Sequence, residues 1–169
     1  MKFILIDRLI SVEPGERLRS CKSLSLAEEY LADHFPTFPV MPGVLMLEAM
    51  IQSAAWLVRV TQDFAHSMVV LDEARNVSYK SFVAPGSSLS VLVEAVRIDE
   101  RDSEFKASGS NDAGEVVKAR LRLRHYNLIE RGPAMAEVDA RLIEEARRQF
   151  ALLGGPAAVR AAAASMGTT

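Results

Sequence analysis

ADHFPTFPVMPGVLMLEAM, residues 32 to 50, is the stretch on which the fold turns. Prolines at 36, 39 and 42 each fix φ, so the chain there is a stiffened loop that holds His34 in a reproducible place. Pro42-Gly43 stands immediately before a run predicted to be helical from about Val44 to Gln62. Apolar residues from Val44 through Val58 cover every side of that helix, which predicts a helix enclosed by the rest of the fold. One carboxylate, Glu48, sits inside the run, four residues from Gln52 and therefore on the same face.

A carboxylate in such surroundings must find partners or shift its pKa upward to stay neutral at lower cost. Glu48 is then either an acid that keeps its proton near neutral pH or a core glutamate tied to backbone groups or an arginine. His34 is either a base or an ordinary loop histidine. Pro42-Gly43 is either a plain helix start or a donor site, since the unpaired N–H groups and positive dipole end of a helix polarise a carbonyl oxygen. Gly43 lets a substrate approach that backbone closely. Together the three elements suit one reaction, in which donors polarise a carbonyl, a base removes the adjacent carbon acid proton and an acid protonates a departing hydroxyl. That is dehydration of a 3-hydroxyacyl compound.

The rest of the chain frames this site. Its 169 residues, 49% hydrophobic and 25% charged, fit one globular domain with a sizeable core. A net charge of -2 gives no global attraction to nucleic acid or an anionic membrane surface. The amino terminus reads as a strand and not a signal peptide, and even the run from Val40 to Val60 is interrupted by Glu48, Gln52 and Arg59, so no membrane span is expected. With Cys21 as the one cysteine there is neither an internal disulfide nor a cysteine metal cluster, which suits the cytoplasm. His34, His66 and His125 show no ligand spacing, and there is no phosphate-cradling glycine motif, so no metal and no cofactor is implied. His66 and His125 are expected at a turn and a strand end, in surface or structural roles.

Alternation makes FILIDRLISV and RLRSCKSLSL a hairpin across an EPGE turn, and Ser25 to Tyr30 a short helical turn. After Asp63 the chain turns extended again, with strands expected in SMVVLDEARNVSYKSFV, SLSVLVEAVRIDERD, EFKASGS and EVVKARLRLRHYN. Beyond Arg131, MAEVDARLIEEARRQFALL carries an amphipathic helical pattern, followed by a GGP break and an alanine-rich end. The division expected is 1–130 as one domain and 131–169 as a C-terminal helical extension that covers a sheet edge or a neighbouring subunit, with a mobile amphipathic tail as the alternative.

HFPTFPVMPGVLMLEAMIQSA resembles the signature of the FabZ-type 3-hydroxyacyl-acyl-carrier-protein dehydratases, a hotdog-fold family. FILIDRLISVEPGERL is similar to that family's first hairpin and YKSFVAPGSSLSVLVEAV to its later strand-turn-strand, so the resemblance covers about residues 1 to 127. It implies an α+β fold, a curved antiparallel sheet wrapped around one long helix. It also implies His34 and Glu48 as catalytic residues, Gly43 as backbone donor to the thioester carbonyl, Gln52 beside the carboxylate at the substrate site, and acyl carrier protein as the partner that carries the substrate. Such enzymes complete each site from two subunits, so a homodimer is implied, with a trimer of dimers as a larger form. A related dehydratase-isomerase type has aspartate in place of Glu48 and cysteine in place of Asp33, which favours simple dehydration here. Thr37 departs from a glycine common in the family and puts the loop path in question. A hotdog thioesterase and a non-catalytic acyl-binding subunit are the alternatives; the intact HFP and PVMPG pair speaks against the first, and the retained His34 and Glu48 speak against the second. Lys80, near the APG turn, is a candidate for the basic rim an acidic carrier would need.

Overall fold

The structure is a computed structural model that describes residues 3–166, with side chains to 164. Six strands form one antiparallel sheet: β1 (Arg8–Glu13), β2 (Arg17–Ser23), β3 (Met68–Tyr79), β4 (Ser88–Ile98), β5 (Asp102–Asn111) and β6 (Gly114–Tyr126), in the order β1-β2-β4-β5-β6-β3. Period-2 alternation builds it. In β6, Val117, Ala119, Leu121, Leu123 and His125 point inward between outward Lys118, Arg120, Arg122 and Arg124. Irregular register in β1, β3, β4 and β6 marks bulges, which bend the strands they interrupt. The sheet curls around α1 (Gly43–Thr61), which packs on β2 through β6. Ala49, Ala54 and Ser53 let the strands close in, and the buried Ser53 hydroxyl pairs with Ser20 of β2 at 2.8 Å. This is the hotdog arrangement.

Three expectations need correction. The first strand begins at Arg8, not at Phe3, because residues 3–5 lie along α1: Gln52 Oε1 accepts the Leu5 N–H at 3.0 Å and Gln52 Nε2 donates to the Phe3 carbonyl at 3.1 Å. Alternating apolar residues suit packing on a helix as well as pairing with a strand. The short helical turn is a 3₁₀ turn at Glu29–Leu31, later than Ser25. Above all, α1 is not enclosed on every side. Val44 is 67% exposed, and Glu48, Ile51, Gln52 and Arg59 are only half-buried, so one stripe of the helix faces a groove. By length and composition α1 could cross a membrane, but half of it is buried in this fold.

The extension packs on the body. After two 3₁₀ turns, α2 (Ala136–Leu152) is anchored by Asp139, whose carboxylate accepts from Ser67 Oγ and from the amides of Leu128 and Ile129, each at 2.8 Å. At its other end Phe150 lies against Trp56 and Phe64, with ring centroids 6.0 and 5.7 Å away. The alanine-rich end is helical too, as alanine favours: α3 (Gly155–Met166) buries Ala158 and Ala162, four apart, and packs on β1. A Cβ on Gly155 would lie 2.3 Å from the Phe150 ring, which is why the break between α2 and α3 needs glycine there. The Leu9 N–H of β1 donates to the Leu153 carbonyl at 2.9 Å. The last residues of the alanine-rich end, 167–169, lie outside the described residues.

Candidate active site

His34 sits half-buried at the head of the proline loop. Its backbone carbonyl accepts the Val40 N–H at 3.0 Å, and its ring Nδ1 lies 2.9 Å from the Val40 carbonyl. A carbonyl can only accept, so Nδ1 carries the proton and Nε2 of the neutral ring keeps its lone pair. The Phe35 ring stacks on the imidazole at 4.3 Å, and the amides of Phe35 and Phe38 bond each other's carbonyls across a tight loop. Thr37 fits this loop with an ordinary negative φ, so a glycine is not required at that position.

Glu48 and Gln52 stand one turn apart on the open stripe of α1. Because Gln52 Oε1 is held by the Leu5 amide, its NH₂ group is turned toward Glu48 and donates to Oε1 at 2.9 Å. The other carboxylate oxygen is left to the groove, a cavity of about 560 Å³ between α1, β3 and α2. His34 does not line that cavity, so one chain by itself does not set the histidine beside the glutamate.

Gly43 is the first residue of α1, after Pro42 as N-cap. The Pro42 carbonyl takes the amides of Leu45 and Met46, and neither the Gly43 nor the Val44 amide has a partner among the described residues. A Cβ at Gly43 would meet the Tyr79 ring at 3.0 Å, so the glycine admits that ring over the helix start. Lys80 is neutralised by an ion pair with Glu115, which weakens it as a member of a basic rim. His125 is fully buried, with Nε2 at 2.9 Å from Ser103 Oγ and Nδ1 at 2.9 Å from the Glu100 carbonyl, and burial lowers its pKa. The His66 ring comes within 5.2 Å of it, a proximity that their spacing in the chain does not show. Among the described residues no three His, Cys, Asp or Glu side chains gather as a metal site.

A family model described as the FabA-like domain matches residues 1–120. The chain belongs to the FabA-like family. As a FabA-like domain it is 36% identical over 121 residues to the 3-hydroxyacyl-[acyl-carrier-protein] dehydratase FabZ of Pelotomaculum thermopropionicum, covering 72% of this chain and 85% of that one. To the FabZ of Anoxybacillus flavithermus it is 31% identical over 150 residues, covering 89% and 87%. Among solved structures, the dehydratase heterocomplex ApeI:P from Xenorhabdus doucetiae shares the fold with a TM-score of 0.63 at 21% identity, over 75% of this chain and 86% of that chain. The match to the FabA-like model ends within β6 and leaves α2 and α3 outside.

Of the two, α2 supplies what the sequence did not announce about the groove. Leu142, Ala146 and Gln149 of α2 form one wall of the groove, and Trp56 and Arg59 of α1 lie in line with Glu48 and Gln52. The spacing of Arg59 from Gln52 was a usable signal, since seven residues return to the same helix face.

Proposed function

We propose that this protein dehydrates 3-hydroxyacyl thioesters, carried on acyl carrier protein in the cytoplasm, to trans-2-enoyl thioesters in fatty acid or related lipid synthesis. The observation that carries the reading is the pair of preset side chains: an imidazole locked through Nδ1, and a carboxylate with one oxygen held by Gln52 and the other open to a groove. The N–H groups at the start of α1, at Gly43, polarise the thioester carbonyl and make the C2 proton acidic. His34 Nε2 takes that proton, the C2–H electrons form the C2=C3 bond, and the C3–O bond breaks as Glu48 protonates the hydroxyl, which leaves as water. Proton exchange with solvent then restores both groups. Gln52 acts by positioning Glu48. Residues 1–130 carry the chemistry, and α2 of the 131–169 extension shapes the groove.

The working unit in this reading is a homodimer, with a trimer of dimers as the larger assembly. Among the described residues the outer edge of β3 is unpaired, and Phe35, Phe38, Val44, Leu71, Tyr79 and Phe82 leave apolar surface around it and the His34 loop. Pairing two β3 edges would cover that surface and bring His34 of one copy to the Glu48 groove of the other. The test is an ultraviolet assay for enoyl formation with 3-hydroxyacyl thioesters on acyl carrier protein and on coenzyme A, with free thiol measured in parallel, alongside the mass of the protein in solution. Substrate loss without thiol release from a dimer or larger form is expected. Release of thiol with no enoyl product indicates a thioesterase instead, and a monomer near 18.5 kDa defeats the shared site.

A further inference from the structure

The groove at Glu48 does not end in an apolar wall. Arg59 borders its far part, on the stripe of α1 that carries Glu48, Gln52 and Ala55. Its guanidinium lies 5.2 Å from the centre of the Trp56 ring, and its Nε is enclosed with no hydrogen-bond partner among the described residues. Burial pushes its pKa down to about 10, so it remains a cation at neutral pH. Across the groove, α2 presents Leu142, Ala146 and Gln149. Glu145 also borders the space, but its Oε2 already accepts from Arg148 at 3.2 and 2.9 Å.

A half-buried cation whose enclosed Nε lacks an acceptor gains when one arrives. The methyl end of a plain alkyl chain supplies none and leaves the cation as it is. A planar carboxylate fits a guanidinium with paired hydrogen bonds and gains from the low dielectric. Eleven residues separate Glu48 from Arg59, roughly 16 Å along the helix axis. The arginine side chain leans back toward the helix N-terminus, and an extended chain advances ~1.2 Å per bond, which leaves room for roughly eight to twelve carbons. From this geometry we infer that the preferred acyl group is of medium length and ends in a carboxylate, which pairs with Arg59 against the wall formed by α2. The inference rests on the dehydratase reading of the same site.

The test compares wild type with Arg59→Leu on 3-hydroxydecanoyl thioesters that end in a methyl or a carboxylate, using a four-carbon 3-hydroxyacyl thioester on wild type as the check on the reaction itself. Wild type should favour the carboxylate-ended substrate by at least ~10-fold in kcat/KM, and Arg59→Leu, with an intact melt, should reverse the order. Calorimetry with decanedioate and decanoate reads the same preference without turnover. Dehydration of the four-carbon substrate with no preference in either measurement overturns the inference and leaves the reaction standing. Tighter decanedioate binding that Arg59→Leu abolishes, without dehydration of any substrate, keeps the Arg59 site and overturns the reaction. If Arg59→Leu alters the oligomeric state while the preference for the carboxylate end persists, Arg59 belongs to a subunit contact and the inference is wrong.

Discussion

The two halves of α1 meet their surroundings by different routes. The first half, with the proline loop ahead of it, is arranged by its own neighbours in the chain: Val40 locks His34, and Gln52, one turn along, orients Glu48. The second half is finished by residues far away, where Phe150 covers Trp56, and Leu142 and Ala146 wall the groove beside Arg59. Neighbours in the chain set the reacting groups, with Leu5 as the one distant hold through Gln52, and long-range packing sets what they can reach. Damage to the first half should therefore fall on the rate, and damage to the second on stability and on substrate choice.

The sharpest break is at the reacting groups. Glu48→Gln keeps shape and hydrogen bonding but loses the acid, and is expected to cut dehydration by on the order of 10²- to 10⁴-fold with an unchanged melt. His34→Ala should be at least as damaging. Near-normal turnover by Glu48→Gln, with unfolding of Glu48→Ala, makes the carboxylate structural. On the other half, Phe150→Ala removes the ring that Trp56 and Phe64 share and should cost about 3 kcal/mol in chemical denaturation. Deleting 131–169 should lower the melting temperature or change the assembly by exposing the same surface. An unchanged melt in both cases would mean that α2 adds nothing to the core.

Gln52 joins the halves, so its loss should show in both columns. Gln52→Ala strands the Leu5 amide, at about 1 kcal/mol or more of stability, and lets Glu48 swing, at roughly tenfold in kcat with little change in KM. A loss confined to stability reduces Gln52 to a tether for the amino-terminal segment. The smallest effect concerns pH at the attachment of α2. Burial by itself raises the Asp139 carboxyl pKa, but the hydrogen bonds from Ser67, Leu128 and Ile129 outweigh it and hold the group below the usual carboxylate range. A depressed folded pKa stabilises fully above the unfolded value of about 3.9, and the contribution disappears as pH falls from there through the folded value. The melting difference between wild type and Asp139→Asn should accordingly be present at pH 7 and shrink below about pH 4. A difference that grows on acidification contradicts the assignment.

Much of this was legible because it is local. Strand alternation in β4 and β6, the turns between them and the proline loop before α1 each need only a few consecutive residues to be read. His34, Gly43, Glu48 and Gln52 were legible for the same reason, standing close together in the sequence, although a single chain does not bring His34 to the Glu48 groove. Residues 3–7 were misread because alternation records which side chains face inward and not what they face; here part of the surface they meet is α1. The apolar cover of α1 hid its open stripe, since Ile51 and Ala55 are as hydrophobic facing a substrate groove as facing a core. Arg59 read only as an interruption of an apolar run, because the helix that closes the groove beside it begins more than seventy residues later. Likewise nothing near His66 signals that it comes to rest on His125.

The carbonyl of Leu153 that takes the Leu9 amide, with α3 packed on β1, leaves the two margins of the sheet unequal. A sheet with two open margins can add copies without end, as a fibre does. Here one margin is already occupied by the chain's own carboxyl-terminal region, so growth has a single face to use. Self-pairing of that margin through a two-fold axis takes one partner, and any larger assembly then uses other surfaces. The C-terminal helices thus cover the β1 margin, and shortening the protein at that end is expected to expose it and to promote association that the full chain does not show.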